Sequence, residues 1–335
     1  MNKTMKKAMT LTLTAVLLSS SLSFTAYAAE ETESKQVITT IFPEYDWVMN
    51  ILGENPANIE VTMLLDSGVD LHSYQPTIPD MMKIVDSDLF IYVGGESDGW
   101  VEDALAQAQK DIRIINLVES LGDDAKEEEL VEGLEEDDEE EEEEEDEDEE
   151  EEEGPEIDEH VWLSLRNAAK LVSVISSAIQ ELDPVNADLY AANTDTYLEA
   201  LKELDAKYEE AISASEVQTV LFGDRFPFRY LMDDYGLSYY GAFSGCSAES
   251  EASFETIIFL AHKVDELGLP AVLTLENPKL HIAETVVENT EGKDASIYAM
   301  DSLQSTTASD VAEGKTYLGT MEQNLEVLKK ALGQN

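Results

Sequence analysis

The order in which apolar runs change their period constrains this chain more than any other feature. Val37 to Ile41, Ile59 to Leu64, Leu89 to Val93 and Ile112 to Asn116 are short apolar runs that read as buried strands. Between them, Tyr45 to Leu52, Pro79 to Val85 and Val101 to Ala108 space their apolar residues as helices do. Parallel neighbours need a crossover and hairpins do not, so strand, helix, strand, helix points to a parallel sheet. The rhythm returns with strands at Gln218 to Phe222, Ser238 to Ala242, Ala271 to Leu275 and Ser296 to Met300. Helices at Phe228 to Asp234, Phe254 to Leu267 and Ile282 to Asn289 alternate with them. The expected fold class is α/β: two lobes, each a four-stranded, mostly parallel sheet flanked by helices.

Asp183-Pro184 opens a long helical pattern in which Tyr197, Leu201, Leu204, Tyr208 and Ile212 recur at steps of three and four. One helix of about seven turns follows at 3.6 residues per turn. It resists bending, so the lobes are expected to move little. The expected organisation is a signal peptide over 1–28, an N-terminal lobe over 29–182, a rigid linking helix over 183–213 and a C-terminal lobe over 214–335. At 335 residues and 43% hydrophobic content, two cores can be filled.

The signal peptide is read from Lys3, Lys6 and Lys7, the broken apolar stretch Ala8 to Phe24, and the small-x-small triplet Ala26-Tyr27-Ala28. The mature chain is expected to start at Ala29 and to be exported, periplasmic or extracellular. No later stretch is long enough to span a bilayer, so no stable membrane insertion is expected. With no cysteine near the cleavage point, no lipid anchor is expected either.

Seventy-four acidic against 20 basic side chains give a formal net charge of −54, which repels phosphate backbones and anionic lipid surfaces. No nucleic acid is expected as a partner; a divalent metal ion is. Glu135 to Glu153 is an unbroken acidic run with nothing apolar to bury, so 123–156 is expected to form a disordered acidic loop inside the first lobe. It reads either as a solvated spacer or as a field of carboxylates that concentrates divalent cations. The one cysteine, Cys246, allows no internal disulfide and no Cys-rich zinc module.

Open parallel sheets place ligands outside the carboxyl ends of their strands. Asp66 to His72 follow the second strand, Asp224 the fifth, Glu276 the seventh and Asp301 the eighth; His160 follows the acidic run. Imidazole with carboxylate suits zinc, and added carboxylates admit manganese. Each residue also has a plainer reading. His72 can be a hydrogen-bonded surface group and His160 a core histidine bonded to backbone, while Asp224 and Asp301 can cap or turn the chain. His262 and His281 read as ordinary helix residues. Ser164 and Ser253 read as helix N-caps. Gly94-Gly95 lacks the spacing of a phosphate loop but permits a close approach of backbone.

Gly68-Val69-Asp70-Leu71-His72-Ser73-Tyr74-Gln75-Pro76 and Asp158-Glu159-His160-Val161-Trp162-Leu163 resemble the two histidine motifs of the metal-binding solute-binding proteins of zinc and manganese ABC importers. The similarity runs from about Gln36 to Leu332, outside the acidic loop. It implies two lobes joined by one rigid helix, with one Zn2+ (alternatively Mn2+) held between them and delivered to a membrane permease by a monomer that is not an enzyme. Carried over by motif, the implied ligands are His72, His160, Asp224 and Asp301, with Glu249 and Cys246 as reserves for the third. Glu159 stands where the family usually has proline, and the loop between the motifs has no histidine. The rival readings are a secreted metallohydrolase, against which there is no H-E-x-x-H helix, and an acidic ion-buffering or adhesion protein.

Overall fold

Strand passes into helix where a side chain collects the backbone N–H groups that the helix start leaves unpaired. At the end of the first strand, Thr40 and Ile41 donate their N–H groups to the Glu44 carboxylate, at 2.7 and 3.3 Å. Thr77 caps the second helix reciprocally with Asp80, and Ser164 and Ser253 accept from Asn167 and Thr256, as their N-cap reading requires. The computed structural model describes residues 34–129, 156–246, 252–276 and 281–334. The signal-peptide segment, all of the acidic run Glu135 to Glu153, and Glu249 lie outside the described residues.

The first half carries β1 (Gln36–Thr39), α1 (Phe42–Leu52), β2 (Glu60–Met63), α2 (Ile78–Asp86), β3 (Leu89–Tyr92), α3 (Trp100–Leu105), β4 (Arg113–Asn116) and α4 (Leu117–Leu121). Its strands form one parallel sheet in the order β2-β1-β3-β4, with Val37 opposite both Val61 and Leu89. Two long helices follow, α5 (Leu165–Leu182) and α6 (Ala187–Ser213). The second half adds β5 (Thr219–Leu221), β6 (Arg225–Phe226), α7 (Arg229–Tyr235), β7 (Ser238–Tyr240), β8 (Phe243–Ser244), α8 (Phe254–Leu267) and β9 (Ala271–Leu275). It ends with α9 (His281–Asn289), β10 (Ser296–Met300), α10 (Ala308–Ala312) and α11 (Tyr317–Ala331).

The second sheet differs from the expected four continuous strands. Its ladders are three parallel pairs, β5 with β7, β9 with β10 and β6 with β8. A parallel bridge from Phe222 to Leu273 joins β5 to β9, so the strand order reads β7-β5-β9-β10 across one contact. The ladder stops there because Asp224 turns its carboxylate back onto the sheet, accepting the N–H groups of Arg225 and Leu275 at 2.9 and 3.2 Å. An additional pairing, β6 with β8, forms beyond that turn and shapes the site described below.

Helix α6 begins at Ala187, one turn later than Asp183, because Asp183 accepts from Asn186 and from the Tyr190 hydroxyl and so closes the turn before it. Its length of 27 residues agrees with the seven turns expected. It is pinned at both ends: Asn193 donates to the Ile51 carbonyl in α1, and Tyr208 donates to the Met321 carbonyl in α11. One apolar core runs through both halves, from Val37 and Trp47 to Leu328 and Leu332, and a smaller one lies between α8, α9 and β9. A shared core across the linking helix opposes hinge motion. The base of the acidic loop is also held: Glu127 bridges Ile157, and Lys126 donates its N–H to the Tyr230 hydroxyl. Residues 123–129, expected within a disordered loop, are therefore tied down by backbone pairing.

Candidate metal centre

Asp70 starts the first histidine motif as an N-cap. Its Oδ1 accepts the His72 N–H at 3.1 Å and opens the single helical turn Leu71–Ser73 just after β2. Leu71 is buried beneath it, so the turn presents His72 on the side facing the second half. Asp158 does the same for the second motif, accepting the His160 N–H and facing His160 Nδ1, both at 2.9 Å. Trp162 anchors that motif across the molecule, its indole N–H on the Ser302 carbonyl and its own carbonyl accepting from the Tyr317 hydroxyl.

The two rings meet. His72 Nε2 and His160 Nε2 lie 3.1 Å apart although 88 residues separate them in the chain. Two zinc–nitrogen bonds of ordinary length at a tetrahedral angle would set such nitrogens about 3.3 Å apart. The other nitrogens point away and are occupied. His160 Nδ1 faces Asp158, and His72 Nδ1 lies 2.8 Å from the Ser97 hydroxyl and 3.7 Å from Glu159 Oε2. Carboxylates behind ligating imidazoles fix the tautomer that leaves Nε2 its lone pair.

Burial and the facing His160 ring push His72 down to about 3, so its imidazole is neutral and able to donate at physiological pH. Burial pushes the Glu159 carboxyl up, against two hydrogen bonds from Ser97. Its Oε2 has no hydrogen-bond partner among the described residues. Gly95 makes room for it: at φ +91°, an added Cβ would lie 2.4 Å from Glu159 Oε1. The close approach allowed by Gly94-Gly95 is thus made to a carboxylate, with no phosphate involved.

Cys246 completes the group. One ligand atom each from His72, His160 and Cys246 lie within 4.8 Å of one another, and no other such cluster occurs among the described residues. Asp224 and Asp301 are outside it. Asp224 is engaged by the N–H groups of Arg225 and Leu275. Asp301 accepts the Leu303 N–H and pairs with Lys315 Nζ at 2.6 Å. Both do the turning and capping work of their plainer readings. Glu276 is also committed, to the Ser302 N–H and to the hydroxyls of Ser302 and Ser305. His262 and His281 are exposed helix residues.

Some contributors had no signal in the sequence. Ser97 and Gln304, whose side-chain nitrogen lies 3.4 Å from His72 Nε2, reach the site only through the fold. Arg225 does too: its guanidinium holds Asp70 at 2.7 Å and ties the first motif to the second half. Although burial pushes the Asp70 carboxyl up, the Arg225 charge and the hydrogen bonds from Arg225 and the His72 N–H carry it below its ordinary value. The signal that could have found such positioning residues is the aspartate two residues before each motif histidine, Asp70 and Asp158.

The chain is 29% identical over 329 residues to the zinc-binding protein AdcA of Streptococcus pyogenes, covering 94% of this chain and 61% of that one. It thus spans about three fifths of that relative's length. It is 29% identical over 297 residues to the high-affinity zinc uptake system protein ZnuA of Bacillus subtilis, covering 88% and 87%. The solved Zn(II)-bound ZnuA-like domain of Streptococcus pneumoniae AdcA superposes with a TM-score of 0.67 at 26% identity, over 90% of this chain and all of that one. Residues 37–331 match the family model for ZnuA, the zinc-uptake complex component A, periplasmic, and the chain belongs to that family.

Proposed function

We propose that this protein captures a divalent transition metal outside the cytoplasm, zinc in preference to manganese, and hands it to the permease of an ABC importer. The observation that carries the reading is the meeting of two imidazoles, Nε2 to Nε2 at 3.1 Å, with each Nδ1 occupied from behind. With each Nδ1 engaged from behind, the two Nε2 atoms face the same point, and a cation there takes a lone pair from each ring. The relatives' names supply the metal, since both curated relatives are described as zinc proteins.

His72 and His160 are the proposed ligand pair. The cargo is the protein's substrate, and capture requires only exchange of its water for protein donors, with no bond chemistry on an organic substrate. The protein acts as an extracytoplasmic monomer in this reading, with 1–28 as its export signal. No helix among the described residues is long and apolar enough to cross a membrane. A shared core suits a receptor that presents its ion from a nearly rigid cleft, leaving release to the permease.

Titration calorimetry with zinc tests the reading. The expected result is one tight site in the intact chain and at least a hundredfold weaker binding in both His72→Ala and His160→Ala. Unchanged affinity in the two variants would falsify the assignment.

A further inference from the structure

The chain's single cysteine is brought to the histidine pair by the short strand pairing that follows Asp224. The two-residue pairing of β6 with β8, Arg225 opposite Phe243 and Phe226 opposite Ser244, directs the following residues toward His160. Gly245 then lies flat against that ring: an added Cβ would stand 2.8 Å from His160 Cε1 and 3.0 Å from the Phe226 carbonyl oxygen. Any side chain there would push the loop away, and Cys246 with it. With glycine, the Cys246 thiol comes within 4.8 Å of ligand nitrogens on both histidines. A tetrahedral zinc ion sets sulfur and nitrogen roughly 3.6 Å apart, so closure requires an inward shift of at most about 1 Å.

The position where the resemblance implies a third ligand is meanwhile occupied. Asp224 spends its two carboxylate oxygens on the N–H groups of Arg225 and Leu275, where it terminates the β5 ladder. Turning it toward the histidines would leave two backbone donors unpaired, at about 1–3 kcal/mol each if buried. Cys246 forms no disulfide and is half-buried. Burial and the nearby Glu128 and Glu159 charges push its thiol up.

We infer that Cys246 is the third metal ligand and that its sulfur makes the centre select zinc over manganese. This rests on the receptor reading above. On capture the S–H bond breaks, its proton passes to solvent, a zinc–sulfur bond forms and a bound water leaves; no electron is transferred. Thiolate suits zinc, whereas manganese prefers oxygen donors, so one sulfur at this position raises affinity for the first ion and does little for the second. Discrimination would then lie in a single side chain.

The experiment uses the purified full chain loaded with cobalt(II), which occupies zinc sites and reports sulfur ligation by a near-ultraviolet charge-transfer band. The intact protein should show that band and Cys246→Ser should lose it, with the metal-free melting temperature of the variant unchanged. Titrations should show zinc affinity falling roughly a hundredfold in the variant while manganese affinity moves less than about threefold. Cobalt bound by the intact chain without the band, and lost in His72→Ala, would overturn the cysteine assignment and leave the receptor standing. An intact chain that binds neither cobalt nor zinc would overturn both. The wild-type spectrum decides the question even if the serine variant fails to fold.

Discussion

At the scale of single residues, the centre works by occupying the wrong side of each imidazole. Asp158 stands directly behind His160; behind His72 the job is divided between the Ser97 hydroxyl and the Glu159 carboxylate. Glu159 costs stability to bury, as its raised pKa indicates, and its Oε2 gains no hydrogen bond in return. Replacement by glutamine removes that cost and also removes the negative charge that favours a proton on His72 Nδ1. Glu159→Gln is therefore expected to leave the metal-free protein at least as stable by thermal melting, while zinc affinity in titration falls about 10- to 100-fold. A variant less stable without metal, with affinity intact, would show that the residue only packs.

A second residue offers a pH readout away from the metal. Burial raises the Asp46 carboxyl to about 6, against hydrogen bonds that include one from the Tyr197 hydroxyl. The folded state thus holds the proton more tightly than the unfolded chain, whose aspartate titrates near 3.9. The contribution is present in full below about pH 4 and is lost as pH rises through about 6. Asp46→Asn should consequently gain on the parent by about 2–3 kcal/mol between pH 4 and pH 7.5 in urea unfolding. Equal differences at both pH values would contradict the assignment.

At the scale of elements, α6 decides how the molecule is held. Leu201 and Leu204 are buried on its inner face, Tyr197 reaches Asp46 in α1, and Tyr208 reaches α11. Leu204→Ala should destabilise the protein by about 2–5 kcal/mol through the lost contact and the cavity left behind, read by chemical denaturation. Because the cavity lies away from the histidines, one zinc ion per chain should still bind. The element also shows where sequence periodicity succeeds. Aromatic and aliphatic residues at three- and four-residue steps allow one solution, a long helix with that stripe inward. The second sheet shows where it fails, because Asp224 and the β6–β8 pairing break the ladder through side-chain contacts that no local pattern announces.

At the scale of the whole molecule, charge and core are kept apart. The acidic run Glu135 to Glu153 supplies 19 of the 74 acidic residues behind the formal charge of −54, and Glu127 pairs with Ile157 at the base of the segment that holds it. A deletion of Glu135 to Glu153 leaves in place the pairing of Glu127 with Ile157. It should fold and retain one tight zinc site by calorimetry; loss of nearly all capacity would favour an ion buffer over a receptor. Saturating zinc should raise the stability of parent and deletion alike, by about 2.7 kcal/mol at a free concentration of a hundred times Kd.

The sequence by itself determined the α/β alternation, the linking helix and the two histidine motifs, because period, caps and short motifs are local properties of a chain. It also determined that any metal site must draw chiefly on imidazole and oxygen, since one thiol was available. Tertiary structure decided which carboxylates were free. Asp224 and Asp301, the ligands that the family resemblance implies, are each engaged by a neighbour further along the chain, Leu275 for the first and Lys315 for the second. The same contacts bring Ser97, Glu159 and Cys246 around the imidazole pair. Hydrogen-bond supply at a site is a balance over every group that packs there, and that balance exists only once the chain has folded.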